Sequence, residues 1–312
     1  LEFQMEDDEA DAEKAVNAYN TLKDNGMKVF IGTVTTGACL SVVSQTKADN
    51  MFQITPSASA AKVIANDNCF QVCFTDPNQG TASADYIASK GLATKVAVIY
   101  NSSDAYSSGI YDNFKAEAAA KGLDLVASEA FTGDSKQDFS SQLSKIKASG
   151  AELIFLPIYY QEASLILSQA KNAGITAKFF GCDGLDGLLN IENFDKSLAE
   201  NVMLLTPFAA NATDETTKKF VAAYNAKYDP STLNQFAADA YDAVYIVKAA
   251  AEKAGVTGDM SVSDICNALK GAMTEITVDG VTGSGMTWKA TGEVNKEPKA
   301  VKIENGEYQP MD

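Results

Sequence analysis

Histidine and arginine are both absent from this 312-residue chain, whose 25 basic residues are all lysine. Without His the usual general base and the commonest metal ligand are missing, and without Arg there is no bidentate phosphate clamp. No Cys-x-x-Cys pair occurs either, so the common zinc patterns are excluded. The dinucleotide fingerprint GxGxxG and the nucleophile elbow GxSxG are also missing. Gly-Val-Thr-Gly-Ser-Gly at 280–285 lacks the Gly-Lys-Ser/Thr ending and the following helix of a phosphate loop. No metal, no cofactor and no enzymatic activity are expected. Long hydrophobic runs are lacking as well: none approaches the roughly 18 residues needed to span a bilayer. The opening LEFQMEDDEA has neither an initiator Met nor a signal-peptide core, and reads as a mature or trimmed soluble chain with its signal peptide removed.

Cysteine is sparse. Cys39, Cys69, Cys73, Cys182 and Cys266 form an odd, scattered set. Cys69 and Cys73 share a strand-like stretch in which four residues span roughly 13 Å, too far for a bridge. Buried thiols acting as small hydrophobes are expected, with Cys182, beside Asp183, the one to watch for reactivity.

What is present is apolar and acidic. Hydrophobic residues make up 46% of the chain, enough for about two domains with real cores. A net charge of −16 repels phosphate backbones, so nucleic acid is not an expected partner. Strand-like runs at 2–6, 28–31, 51–54, 69–73, 95–100, 123–129, 152–156, 178–181 and 201–206 alternate with amphipathic stretches such as 10–23, 79–90, 108–121, 138–149 and 161–173. This is the βαβ pattern of doubly wound parallel sheets. After Pro207 the pattern changes to helices at 214–227, 233–253 and 262–271, followed by a Gly-rich stretch of loops and short strands. No low-complexity linker separates the parts, so two domains must be joined by chain crossings.

Five strand-like runs stop abruptly at small or polar residues. VFIG meets Thr33-Val34-Thr35-Thr36-Gly37, MFQI meets Thr55-Pro56-Ser57-Ala58-Ser59, and VAVIY meets Asn101 to Tyr106. LIFLPI meets Tyr159-Tyr160, and KFFG meets Cys182-Asp183-Gly184. Open α/β sheets bind ligands at these carboxyl ends. Short loops there present free N–H groups at a helix start, which hold an anion without Arg. Taken alone, Thr35, Thr36 and Ser59 also suit turn and N-cap duty, Asp183-Gly184 suits a plain turn, and Tyr106, Tyr159 and Phe236 suit ordinary packing.

Phe70 to Gly80 (FQVCFTDPNQG), Tyr106-x-x-Gly109, Lys136 to Ser140 (KQDFS) and Gly181-Cys182-Asp183-Gly184 follow in order and spacing the branched-chain amino-acid (Leu/Ile/Val) binding protein family. The closing Gly280 to Gly283 and Val301 to Gly306 are similar to that family's last strands. These are type I periplasmic solute-binding proteins of ABC transporters, and the resemblance covers essentially the whole chain. It implies an α/β fold of two doubly wound parallel-sheet lobes joined by a three-crossing hinge: lobe 1 from 1–75 plus 208–297, lobe 2 from 76–207 plus 298–312. It further implies an amino acid or related small carboxylate held in the interlobe cleft and delivered to an ABC transporter permease. Thr36 and Ser59 match hydroxyls on the ligand's α-carboxylate and amino group, with Thr35 beside them, and Ser57 matches a backbone contact. Asp183 matches the acidic partner of the ammonium, often Glu in the family. Tyr106 and Tyr159 match aromatics that close over the ligand, and Phe236 one that lines its side-chain pocket; Val34, Tyr160, Asp186 and Asn234 border that pocket.

The resemblance implies a monomer outside the cytoplasm, periplasmic or anchored to the outer face of the cell membrane as a lipoprotein. A ligand-sensing domain of a receptor, and an enzyme on a doubly wound fold, are the alternatives. The family's opening strand-helix unit has no counterpart ahead of LEFQMED. The named site residues are therefore an incomplete set, and residues 1–312 alone are not expected to form a stable, ligand-binding monomer.

Overall fold

Val96, Ala97, Val98 and Ile99 run apolar without alternation, the pattern of a strand covered on both faces, and all four are fully buried. The same holds for Leu153–Leu156. The computed structural model describes residues 2–311. In chain order these begin α1 (Ala12–Asp24), β1 (Phe30–Ile31), α2 (Thr36–Ala48), β2 (Gln53–Thr55) and β3 (Cys69–Gln71). There follow α3 (Asp76–Ser89), β4 (Lys95–Asn101), α4 (Ala105–Ala120), β5 (Asp124–Phe131), α5 (Ser140–Ser149), β6 (Leu153–Leu156), α6 (Tyr160–Asn172), β7 (Lys178–Gly181) and β8 (Met203–Thr206). The last elements are α7 (Glu215–Asn225), α8 (Gln235–Ala254), α9 (Val262–Met273), β9 (Lys299–Glu304) and β10 (Glu307–Pro310). Among the described residues no helix is long and apolar enough to cross a membrane.

The chain divides into two compact units, Leu1–Thr75 with Phe236–Glu297 and Asp76–Gln235 with Pro298–Asp312. Segment 208–235, expected in lobe 1, thus groups with the second unit. There Phe208 meets Phe220 edge to face at 5.9 Å, Asn211 Nδ2 donates to Gln309 Oε1 at 3.1 Å, and Asn190 Nδ2 donates to Leu233 O at 3.3 Å. These contacts hold the segment to the second unit until Gln235.

In the first unit β1, β2 and β3 pair in parallel in that order. One face packs Phe52, Ile54, Phe70 and Val72 against Ile246 and Ala250 of α8 and Ile265 and Leu269 of α9. A separate core gathers Tyr19 and Leu22 of α1, Ala38 and Val42 of α2, and Phe30. The strand expected at 2–6 does not form. Phe3 and Met5 are 62% and 90% exposed, and no ladder pairs that backbone, so the apolar alternation has neither a partner nor a core to fix it.

The second unit carries a seven-stranded sheet of order β10-β9-β8-β7-β6-β4-β5. Strands β5, β4, β6, β7 and β8 are parallel, and β9 and β10 extend the sheet as an antiparallel hairpin. The hairpin turns through Asn305 and Gly306, both at positive φ (55° and 77°), as a two-residue Asn-Gly loop requires. Alternate strand residues feed two cores. Val96, Val98 and Phe155 meet Ile87 of α3 and Phe114 of α4 on one face, while Ala97, Ile99 and Ile154 meet Ile146 of α5 and Ile166 of α6 on the other. Helices on both faces of a parallel sheet make this unit doubly wound.

Candidate functional site

Because β1 and β2 are parallel neighbours, their following loops emerge at one end of the first unit's sheet. The first loop runs straight into α2. Its N-cap, Thr35, is extended (φ −94°, ψ 149°), yet its side chain makes no capping hydrogen bond. The second loop is fastened to the first. Thr55 Oγ1 donates to Thr33 O at 2.6 Å and accepts from Ala58 N at 2.9 Å, and Gln71 Nε2 donates to Ala58 O at 2.9 Å. Ser59 N and Ala60 N both donate to Thr36 Oγ1, at 3.2 and 3.4 Å.

Amid these bonds two buried hydroxyl oxygens, Thr35 Oγ1 and Ser59 Oγ, have no hydrogen-bond partner. Buried polar atoms are overwhelmingly partnered, so two such atoms beside the start of a 13-residue helix have the chemistry to suit an anion. The helix contributes uncapped N–H groups and the positive end of its dipole. Ser57 is buried on the same loop. Phe236 is half-buried at the second position of α8, and the hydrogen bonds that join Thr36 to the Ser59 loop do not reach it.

In the second unit β4 pairs with β5 on one side and β6 on the other, so the winding reverses between β4 and β6. Ligand sites in open α/β sheets lie at such reversals. Tyr106 is the second residue of α4, just after β4, and Tyr159 caps α6, just after β6. Their rings stack with centroids 4.8 Å apart and planes 17° from parallel. Asp183 follows the neighbouring β7 and accepts a 2.6 Å hydrogen bond on Oδ1 from Tyr106 Oη. Tyr106 Oη in turn accepts from Gly184 N at 2.9 Å. Gly184 is required there, since a Cβ would stand 2.6 Å from Tyr106 Oη and 2.7 Å from Ile158 O. Asp183, Tyr106 and Tyr159 are thus one cluster.

Burial dominates the electrostatics. It pushes the Asp183 carboxyl up to about 6, against the opposing pull of the Tyr106 hydrogen bond. Burial also raises Asp186 to about 7, although Asp186 Oδ2 accepts from Gln235 N at 2.8 Å. The Tyr106 phenol stays well above its ordinary value for the same reason. A buried carboxyl beside stacked aromatic rings has the chemistry to suit a cation. Cys182, watched for reactivity, is fully buried, its thiol is pushed well above the usual range, and its sulfur lies 3.6 Å from Ser83 Oγ. All five cysteines are buried and unbridged. The 280–285 loop is filled from within: Val281 N and Thr282 N each donate at 2.8 Å to the Asp242 carboxylate. Among the described residues no group of three or more His, Cys, Asp or Glu could hold a metal ion.

Sequence reasoning missed two glutamines. Gln79 Oε1 accepts from Asp183 N at 3.2 Å, and Gln235 Nε2 donates to Asp183 O at 2.5 Å. Gln79 lay inside the FQVCFTDPNQG motif, but only the fold shows that α3 turns it toward the end of β7. Gln235 carried no signal, because its partner is 52 positions away.

The family description "Periplasmic binding protein" matches residues 1–307. A Leu/Ile/Val-binding protein homolog from Brucella melitensis is 32% identical over 256 residues, 81% of this chain and 68% of the relative. A leucine binding protein LivK from Thermotoga maritima superposes with a TM-score of 0.86 at 25% identity, covering 98% of this chain and 85% of that one. The branched-chain amino acid transporter substrate-binding protein LivJ from Streptococcus pneumoniae, solved with isoleucine, gives a TM-score of 0.86 at 26% identity, with 99% and 85% covered.

Proposed function

The chain belongs to the periplasmic binding protein family, and on that footing we propose that it captures a branched-chain amino acid outside the cytoplasmic membrane and passes it, as a monomer, to an ABC transporter permease. It either diffuses in a periplasm or is tethered to the outer face of the membrane as a lipoprotein. One observation carries the choice of ligand: the chain holds a group suited to each sign of charge, two unpartnered hydroxyls at a helix start and a buried carboxyl. The α2 start, with Thr35 and Ser59 hydroxyls unpartnered, suits a carboxylate. Asp183, hydrogen-bonded to the hydroxyl of Tyr106, whose ring stacks on Tyr159, and lifted by burial, suits an ammonium. An α-amino acid carries both groups on one carbon. The relatives named for leucine, isoleucine and valine support a branched-chain side chain.

In this reading Thr35, Thr36, Ser57 and Ser59 suit the carboxylate end of the ligand and Asp183 its ammonium. Tyr106 and Tyr159 cover it, and Phe236 lines the side-chain pocket. Each charge-assisted hydrogen bond adds about 1.5–3 kcal/mol, so a few are enough for selective capture without any chemistry. A thermal-shift screen of the twenty amino acids tests this. A ligand at 100 times its Kd stabilises the folded state by about 2.7 kcal/mol. Leucine, isoleucine or valine should raise the Tm above every polar or charged amino acid; no shift with any of the three would overturn the assignment.

A further inference from the structure

Gln235 is completely buried, and its side-chain amide and backbone N–H are bonded to the Asp183 turn and its support. Its Nε2 donates to Asp183 O at 2.5 Å, its backbone N–H donates to Asp186 Oδ2 at 2.8 Å, and its Oε1 accepts from Thr206 Oγ1 at 3.2 Å at the end of β8. The first two bonds grip both ends of the single 3-10 turn formed by Asp183–Leu185, whose closing bond is Asp186 N to Asp183 O at 2.9 Å. The third anchors that grip to the sheet. The chain leaves the second unit immediately after Gln235, and the next residue is Phe236.

We propose that Gln235 is a positioning residue for amino-acid capture, holding the Asp183 turn so that its carboxylate stays aimed for an ammonium group. This rests on the reading of Asp183 given above. The turn has little else to fix it: Asp183 N is held by Gln79 and Oδ1 by Tyr106, while the carbonyl side depends on the turn's own bond and on Gln235. A short turn whose carbonyl side is held by its own closing bond alone can rock, and the carboxylate it carries swings with it. Loss of Gln235 therefore acts on recognition of the ammonium and leaves the carboxylate receptor, in the other unit, untouched.

The test compares two probes of one shape, L-leucine and 4-methylpentanoate, which is leucine without its ammonium. Their affinities are measured by calorimetry or competition for the wild type and for Gln235→Met, which has a similar volume and keeps the backbone N–H but loses both side-chain hydrogen bonds. Leucine affinity should fall at least tenfold and 4-methylpentanoate affinity by less than twofold, so the ratio between them collapses. An equal fall for both probes marks a merely structural residue and overturns the proposal, as does no fall for either. If Gln235→Met does not melt cooperatively, Gln235→Asn gives the same reading. Its side chain is too short to bridge Asp183 O and Thr206 Oγ1, and an unchanged ratio in that folded variant overturns the proposal. Wild-type protein that fails to prefer leucine over 4-methylpentanoate would instead overturn the role of Asp183 itself, and this inference with it; that failure is visible before any variant is made.

Discussion

Ser59 and Asp183 are poised in opposite ways, and each makes a separable expectation. The Ser59 hydroxyl is buried without a partner, so Ser59→Ala removes a desolvated polar atom that no protein group uses. Stability of the ligand-free protein should be unchanged or slightly higher by denaturant titration, while leucine affinity falls about tenfold, the worth of one hydrogen bond near 1.4 kcal/mol. A loss of stability without a loss of affinity would show the hydroxyl to be structural. Asp183 carries the pH dependence. Its folded carboxyl titrates near 6, above the ordinary range, because burial disfavours the charge. Below that pH the group is neutral and cannot pair with an ammonium; above it the charge is present. Leucine affinity should therefore climb between pH 5 and pH 6.5 and level off above 7, with proton release on binding near pH 6. A flat affinity profile across that range would remove Asp183 from the site. Asp183 was legible in the sequence through its place after KFFG, and Thr36 and Ser59 through theirs after VFIG and MFQI. Their partners were not, since the bonds from Gln79 and Gln235 cross 104 and 52 residues.

Helices and strands were mostly legible, because continuous apolar runs and glycine stops leave strong marks. Gly150 ends α5 at φ 72°, a left-handed conformation that glycine adopts freely. The segment 2–6 failed as a strand because alternation signals a pleat only when a neighbouring strand and a core accept it. Segment 208–235 was assigned to the wrong side of a crossing because the change of pattern at Pro207 is local, while the contacts that hold the segment to the second unit are not. One pairing of helices makes a sharp expectation. Gly80 of α3 lies so close to α4 that a Cβ would stand 2.6 Å from Ile110 O and 2.8 Å from Phe114 N. Backbone on both sides cannot give way cheaply, so Gly80→Ala should cost about 1–3 kcal/mol by forcing α3 and α4 apart. A chemical-denaturation midpoint equal to that of the wild type would show that the two helices pack loosely.

Across the whole molecule the buried acids set the response to pH. Burial raises Asp183 to about 6 and Asp186 to about 7. Asp239 is raised to about 7, facing Lys296 at 3.4 Å together with Asp242 and Thr282. The folded state then holds protons that the unfolded chain releases near pH 4. That contribution to stability is complete below about pH 4 and is lost as pH rises through 6 and 7. The ligand-free Tm should therefore decline from pH 5 to pH 8, and a Tm that rises over that interval would contradict the buried state of these acids. Saturating leucine should flatten the part due to Asp183, because a nearby ammonium favours the charged carboxylate. The central claim, that the ligand is a zwitterion recognised through both of its charges, is tested most directly by calorimetric titration at pH 7.5 with L-leucine, 4-methylpentanoate and 3-methylbutylamine. The expected result is one leucine per chain, with each half-ligand bound at least about a hundredfold more weakly, since each forfeits charge-assisted bonds of about 1.5–3 kcal/mol; either half-ligand binding as tightly as leucine would contradict it.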